Sequence, residues 1–417
     1  MSAEAPIRAD SREELVYLLS QASELEHGLM CEYLFAMFSL KRQAKEGPSA
    51  DQLEAAGRWD RMISGVAAQE MLHLALVSNL LTAVGAVPHF ERPNFPQQAK
   101  YYPPGVQLAL VPFGERALRH FMYLERPEGF ELADADGFRV VQAAAPITGD
   151  DAVVPVEEDY ATVGHLYRGI EQGLERLVQR HGEQRVFVGP PDAQITGTFF
   201  RWNELIPVTD LASAKLAIET IVEQGEGARG DWRNAHFGRF HRILEEFLEL
   251  KSKDPAFEPA RPVVPAYVRP PADVADPVLI SEPTTARVAD LFNGTYEVLL
   301  QLLLRFFVHS DETAEELTML ADAAKNAMFG VLKPIGYLLT SLPVGPGDPG
   351  KVAGPTFDFY RTAYLLPHRH AAWVVLHERL TGLAEACATV AAETGHEALD
   401  TAEGNLRSLA GLLAPGI

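Results

Sequence analysis

The sequence predicts a mainly α-helical protein: a four-helix bundle with a long insertion between its second and third helices, then a C-terminal helical domain. Three observations carry that expectation. Apolar residues recur at helical spacing through two long N-terminal segments, 11–45 and 51–86. A carboxylate and an imidazole, Glu70 and His73, stand at i and i+3 inside the apolar face of the second segment. From 87 to 158 the periodicity breaks into a proline-rich stretch too long to be a plain turn, of the kind compact domains keep for functional insertions.

The first two helices are joined around Gly47-Pro48-Ser49, and Gly85 with Pro88 closes the second. Within the insertion, 106–111 reads as a short strand and 115–121 as a short helix. A third helix is expected over 159–181 and a fourth over 210–226, with strand and turn between them at 186–207. Helical character resumes over 236–250. Residues 253–284 hold eight prolines and no sustained periodicity, which marks a linker. Beyond it, helices are expected at 285–308, 312–342, 355–366 and 368–394, with a tail helix at 400–413. The domain reading is therefore 1–250 for a metal-binding bundle, 251–284 for the linker and 285–417 for the C-terminal helical domain.

Bulk properties exclude several functions. A net charge of −21 argues against nucleic acid and anionic membrane as partners. No apolar run has bilayer length, and the polar N-terminus lacks a signal-peptide core. Two cysteines, Cys31 and Cys387, cannot build a disulfide framework or a zinc cluster and read as buried thiols in a reducing compartment. The expectation is a cytoplasmic protein with a small-molecule substrate; a homo-oligomer is left open.

The candidate site starts from Glu70 and His73. Their helix-face neighbours are Ile63, Val66, Ala67, Leu74 and Val77, and a carboxylate buried there needs a compensating charge, which a metal ion supplies. On the first helix Glu26 faces Ala22, Leu29, Met30 and Tyr33, so it points the same way. A glutamate on one helix and Glu-x-x-His on the next is half of a carboxylate-bridged two-metal bundle site. The fourth helix offers Glu219, Glu223 and Glu226. Glu-x-x-Glu stands there in place of Glu-x-x-His, or His236 folds back to supply the imidazole. On the third helix His165 and Glu171 flank the apolar stripe, and either is a candidate.

Four blocks, LEHGLMCEYLFAMFSLK, AAQEMLHLALVSNLLTAVGAVPHF, YATVGHLYRGIEQGLERL and AIETIVEQGEG followed by HFGRFHRI, occur in that order over about 11–250. Together they resemble the ferritin-like family named after iminophenyl-pyruvate dimer synthase, whose domain also occurs in the enzymes coupling indole-pyruvate imines in the violacein and rebeccamycin pathways. LPHRHAAWVVLHERL resembles the region following this domain in stand-alone members. The resemblance implies a ferritin-like four-helix bundle and iron-dependent oxidative chemistry on an amino-acid-derived metabolite. It places the family's first-helix Glu on Glu26 and its second-helix pair on Glu70 and His73. It places the fourth-helix acidic block on Glu219, Glu223 and Glu226, and the following His on His236. Where the family often has a third-helix Glu, this chain has His165, which changes the charge of any site built there. The pathway enzymes are much longer and associated with haem, so their activity does not transfer whole.

The functional expectation is an iron-dependent oxidoreductase of small-molecule, secondary metabolism, with one or two non-haem irons in preference to haem. It would act with dioxygen or peroxide on an amino acid or its imine, the insertion and C-terminal helices closing the pocket. The alternatives are a metal-binding or storage protein and a non-catalytic scaffold partner of a biosynthetic enzyme.

Overall fold

The computed structural model describes residues 7–97, 106–138, 160, 162–227, 231–271, 274, 276–361 and 364–414. The chain divides into two compact units, Met1–Thr198 with Trp202–Pro259, and Phe199–Arg201 with Ala260–Ile417.

In the first unit lie α1 (Arg12–Ser39), α2 (Ala50–Ala83), α3 (Glu115–Leu124), α4 (Val163–His181), the single turn α5 (Glu183–Val186), α6 (Leu211–Gly225) and α7 (His236–Lys253). α1 pairs with α2, α4 packs on α1 and on α6, and α6 returns to α2, so these four close a ring. α3 packs on α7, and α7 also reaches α2.

Local chemistry sets the helix starts. Glu14 N–H donates to Ser11 Oγ while the Glu14 carboxylate accepts from Ser11 N–H, a reciprocal cap repeated by Ser49 and Gln52 at α2. Each such cap satisfies amides that the first turn cannot pair and contributes about 1 kcal/mol.

From Leu25 to Phe38 every residue of α1 except Leu34 is buried, so this helix needs cover on all sides. The insertion supplies part of it. Residues 106–111, expected as a strand, form no strand among the described residues. Instead Leu108 lies so close that a Cβ on Gly28 would sit 2.5 Å from it, and Ala109 N–H donates to the Glu32 carboxylate. Buried Glu32 also faces His120 Nε2 at 3.8 Å, and His120 Nδ1 is 2.8 Å from Asp134. An α1 side chain thus takes the amide that a neighbouring strand would have paired.

The 186–207 segment likewise contains turns and a 3-10 turn, Pro191–Ala193, and no strand among its residues. Asn79 of α2 binds both backbone groups of Ile195 and the carbonyl of Ile206 at 2.8–3.1 Å, replacing a ladder.

The second unit holds α8 (Pro283–Phe307), α9 (Ala314–Asn326), α10 (Lys333–Leu339), α11 (Arg369–Thr394) and α12 (Glu397–Leu413). The continuous helix expected at 312–342 is broken by a π-helical stretch, Ala327–Leu332. Pro334 has no N–H for the carbonyl four residues back, and Asn405 Nδ2 donates to that Gly330 oxygen at 2.8 Å. The helix expected at 355–366 does not form; its described residues are irregular. Asp358 N–H and Tyr360 N–H donate to Asn293 and Glu297 of α8, and Phe357 packs edge-on to Phe292 and Tyr296. Those two amides are spent on α8 side chains and are lost to a helix of their own. No helix among the described residues is long and apolar enough to cross a membrane.

At the start of α4, Gly164 N–H donates to Glu226 at 2.6 Å, and a Cβ on Gly164 would lie 2.5 Å from that carboxylate. Gly164→Ala is expected to destabilise the fold by about 1–3 kcal/mol through this overpacking. Urea unfolding with an unchanged midpoint would contradict the assignment.

Candidate metal centre

Spacing within α2 brings Glu70 and His73 to one face, and their side chains approach each other, His73 Nδ1 lying 2.8 Å from Glu70 Oε2. α1 adds Glu26, whose Oε2 is 3.4 Å from the same nitrogen. The start of α7 adds His236, with Nδ1 2.8 Å from Glu70 Oε1, and the end of α3 adds Glu125, 3.5 Å from that nitrogen. All five residues are at most 2% exposed. They form two trios, Glu26–Glu70–His73 and Glu70–Glu125–His236, and within each trio the ligand atoms lie within 4.8 Å of one another. Glu70 belongs to both, offering Oε2 to one and Oε1 to the other.

This donor set fits metal ions. Glu70 Oε1 and His236 Nδ1 are buried without a hydrogen-bond partner despite their proximity, an arrangement that costs free energy unless something sits between them. Three carboxylates around two imidazoles are the oxygen and nitrogen ligands that first-row divalent ions take, and a carboxylate shared by two trios is the bridging element of a two-metal bundle.

Without a cation the cluster holds protons. Burial disfavours the charged form of His73, but Glu70 and Glu26 beside it outweigh this and push its pKa up to about 10. His236, also opposed by burial, is raised to about 9 by Glu70 and Glu125. Burial raises Glu26 to about 7. Burial works on Glu70 too, yet the two protonated histidines bring it below its ordinary value.

Surrounding groups fix which atoms face inward. His236 Nε2 donates to Gln69 Oε1 at 3.3 Å, and Arg239 donates to the same oxygen at 2.6 Å. His73 Nε2 donates to Gln224 Oε1 at 3.1 Å. Both rings therefore carry their outer proton on Nε2 and turn Nδ1 to the carboxylates. Tyr167 donates to Glu26 Oε1 at 2.6 Å and Tyr33 to Glu125 Oε1. On Glu26 the phenol takes Oε1 while Oε2 faces His73; on Glu125 Tyr33 and His236 approach the same oxygen, Oε1.

The structure brings together four of the residues singled out by sequence: Glu26, Glu70, His73 and His236. The other five lie outside both trios. His165 is buried at the start of α4, and Glu171 pairs with Lys215 at 3.2 Å. Glu219 and Glu223 are exposed on α6. Glu226 is buried, but its carboxylate accepts from Gly164 and Glu128 N–H groups. Among the described residues, α4 therefore contributes Tyr167 and α6 contributes Gln224 to the surround. Glu125 was missed because it lies in the insertion, yet a signal existed: it follows Leu118 and Phe121 at i+7 and i+4, on the buried face of α3.

The Ferritin-like family description matches residues 19–245. Dichlorochromopyrrolate synthase of Lentzea aerocolonigenes is 27% identical over 91% of this chain and 39% of its own length. The 2-imino-3-(indol-3-yl)propanoate dimerase of Chromobacterium violaceum is 28% identical over 85% of this chain and 36% of its own. The chain thus spans less than two fifths of these curated relatives. A solved ferritin-like protein from Caulobacter vibrioides aligns over 76% of this chain and 96% of its own, at 20% identity and a TM-score of 0.44.

The raised pKa values predict a pH dependence for metal-free protein. Protonation of His73, His236 and Glu26 stabilises the fold below their ordinary pKa values, and that stability is lost as pH rises through about 7, 9 and 10. His120, raised to about 9, adds in the same direction. Thermal unfolding in chelator should show Tm falling from pH 6.5 to 10; a flat or rising Tm would contradict this electrostatic account.

Proposed function

Because the chain belongs to the Ferritin-like family, we propose that it is an iron-dependent oxidoreductase acting on an amino-acid-derived imine, with dioxygen or peroxide as oxidant. The carrying observation is the buried pair of trios that share Glu70. The reading takes Glu26, Glu70, His73, Glu125 and His236 as ligands and leaves His165, Glu171, Glu219, Glu223 and Glu226 out. The names of the two relatives, an imine dimerase and a dichlorochromopyrrolate synthase, support the substrate class.

When bound, iron would supply one-electron exchange with the oxidant at positions the protein ligands leave open. The chain's own part is to orient and to exclude water. Gln69 and Gln224 hold the imidazoles with Nδ1 inward. Tyr33 and Tyr167 hold two carboxylates, and Tyr33 packs against Phe121 and Phe240 with ring centroids 4.8 Å away, which keeps that side dry. His73 and His236 would hold a metal only with Nδ1 deprotonated, so binding would release protons.

Elemental analysis and a visible spectrum of protein purified without added metal should find about two irons per chain and no Soret band. Glu70→Gln should lose the iron while the protein still melts cooperatively. Gln224→Leu should weaken Fe(II) affinity by about 10–100-fold, as loss of a ligand-orienting hydrogen bond does. A Soret band, or no iron after anaerobic Fe(II) addition, would overturn the reading. Iron without turnover of any amino acid or imine would instead favour a binding protein.

A further inference from the structure

We propose that Arg239, a positioning residue acting through Gln69, makes the two metal positions unequal, so that the Glu26–Glu70–His73 trio holds its ion more tightly than the Glu70–Glu125–His236 trio. This rests on the iron reading above. The two trios are alike in composition. Each joins Glu70 to one further glutamate and one imidazole, with a phenol donating to that glutamate. Each imidazole also donates from Nε2 to a glutamine oxygen. The contrast lies behind those glutamines.

Gln224 Oε1 accepts from His73 at 3.1 Å, and no cation shares that oxygen among the described residues. Gln69 Oε1 accepts from His236 at 3.3 Å and from the Arg239 guanidinium at 2.6 Å. The guanidinium is held there by its Nε, which donates to the Asn234 carbonyl at 2.9 Å. Of two donors on one oxygen the charged one makes the shorter and stronger bond, so His236 keeps the poorer one. An acceptor on the outer nitrogen makes a histidine more basic toward its metal, and the weaker acceptor leaves His236 the poorer ligand.

The charge of Arg239 acts in the same direction. The side chain is half-buried, and no carboxylate pairs with it among the described residues. Burial first and Arg242 second bring its pKa below the ordinary guanidinium value, while Glu70 raises it, so its charge is felt at the shared carboxylate. A partly desolvated cation is weakly screened and repels an ion on its own side of Glu70. On the other side Gln224 is neutral. Were Arg239 only a prop for Gln69, its loss would weaken the His236 position; as a competing cation, its loss strengthens it.

Anaerobic calorimetry of Fe(II) with the chelator-stripped full chain reads that sign. Two steps are expected, at least tenfold apart in affinity, and Glu125→Gln should remove the weaker one alone. Arg239→Gln should tighten the weaker step by about tenfold and leave the tighter one unchanged, with cooperative melting retained. Arg239→Lys keeps the charge and should keep the gap. Equal steps in the parent, loss of the tighter step in Glu125→Gln, a weaker step that fails to tighten in Arg239→Gln, or a gap closed by Arg239→Lys would overturn the inference. Each of those outcomes leaves the iron reading standing, since Fe(II) still binds. Uptake of no Fe(II) by the parent would overturn the iron reading and this inference with it.

Discussion

Glu70 is the residue on which the first unit turns. A carboxylate 1% exposed within α2 is among the most costly groups to bury, and its cost falls only if positive charge reaches both of its oxygens. His73 meets one oxygen and His236 the other, from different helices. Glu26 and Glu125 then add two more negative charges, which makes the arrangement expensive for a metal-free protein and favourable for one holding cations. The fold carries that cost in its interior, and neighbouring polar groups hold these side chains in place: Gln224 on His73, Gln69 on His236, Tyr167 on Glu26 and Tyr33 on Glu125.

The insertion takes part in the same arrangement. α1 is buried nearly all round, so it presents Glu26 reliably only when every side is covered, and 106–113 covers one of them. The amide of Ala109 bonds Glu32, the amide of Phe113 bonds Ser39, and further along α3 delivers Glu125 beneath Tyr33. One stretch of chain both seals the core helix and completes the second trio.

The acidic end of α6 shows how helical geometry divides a single stripe. Successive side chains are about 100° apart, so Gln224 turns away from the face that Glu223 and Glu226 share at i and i+3. Gln224 turns to His73, Glu226 to the Gly164 and Glu128 amides, and Glu223 stays exposed. The neutral residue, unremarkable in sequence, is the one that touches the candidate metal centre, because a neutral acceptor there adds no fourth negative charge.

Much of the helical architecture was legible from local pattern, because apolar periodicity and caps act within a few residues of one another. The same locality made Glu26, Glu70 and His73 readable: each stands on an apolar face where a charge needs a reason. Pattern failed where distant side chains compete for backbone groups. Glu32 takes an amide from 106–111, Asn79 takes those of Ile195, and α8 takes those of 358–360, so an expected strand, a strand-and-turn segment and a helix did not form. By itself the sequence determined a helical bundle with a carboxylate–imidazole pair turned inward. Only the tertiary structure decided that Glu125, His236 and Gln224 complete the surround, because their convergence spans segments whose spacing in the chain carries no information about distance in space.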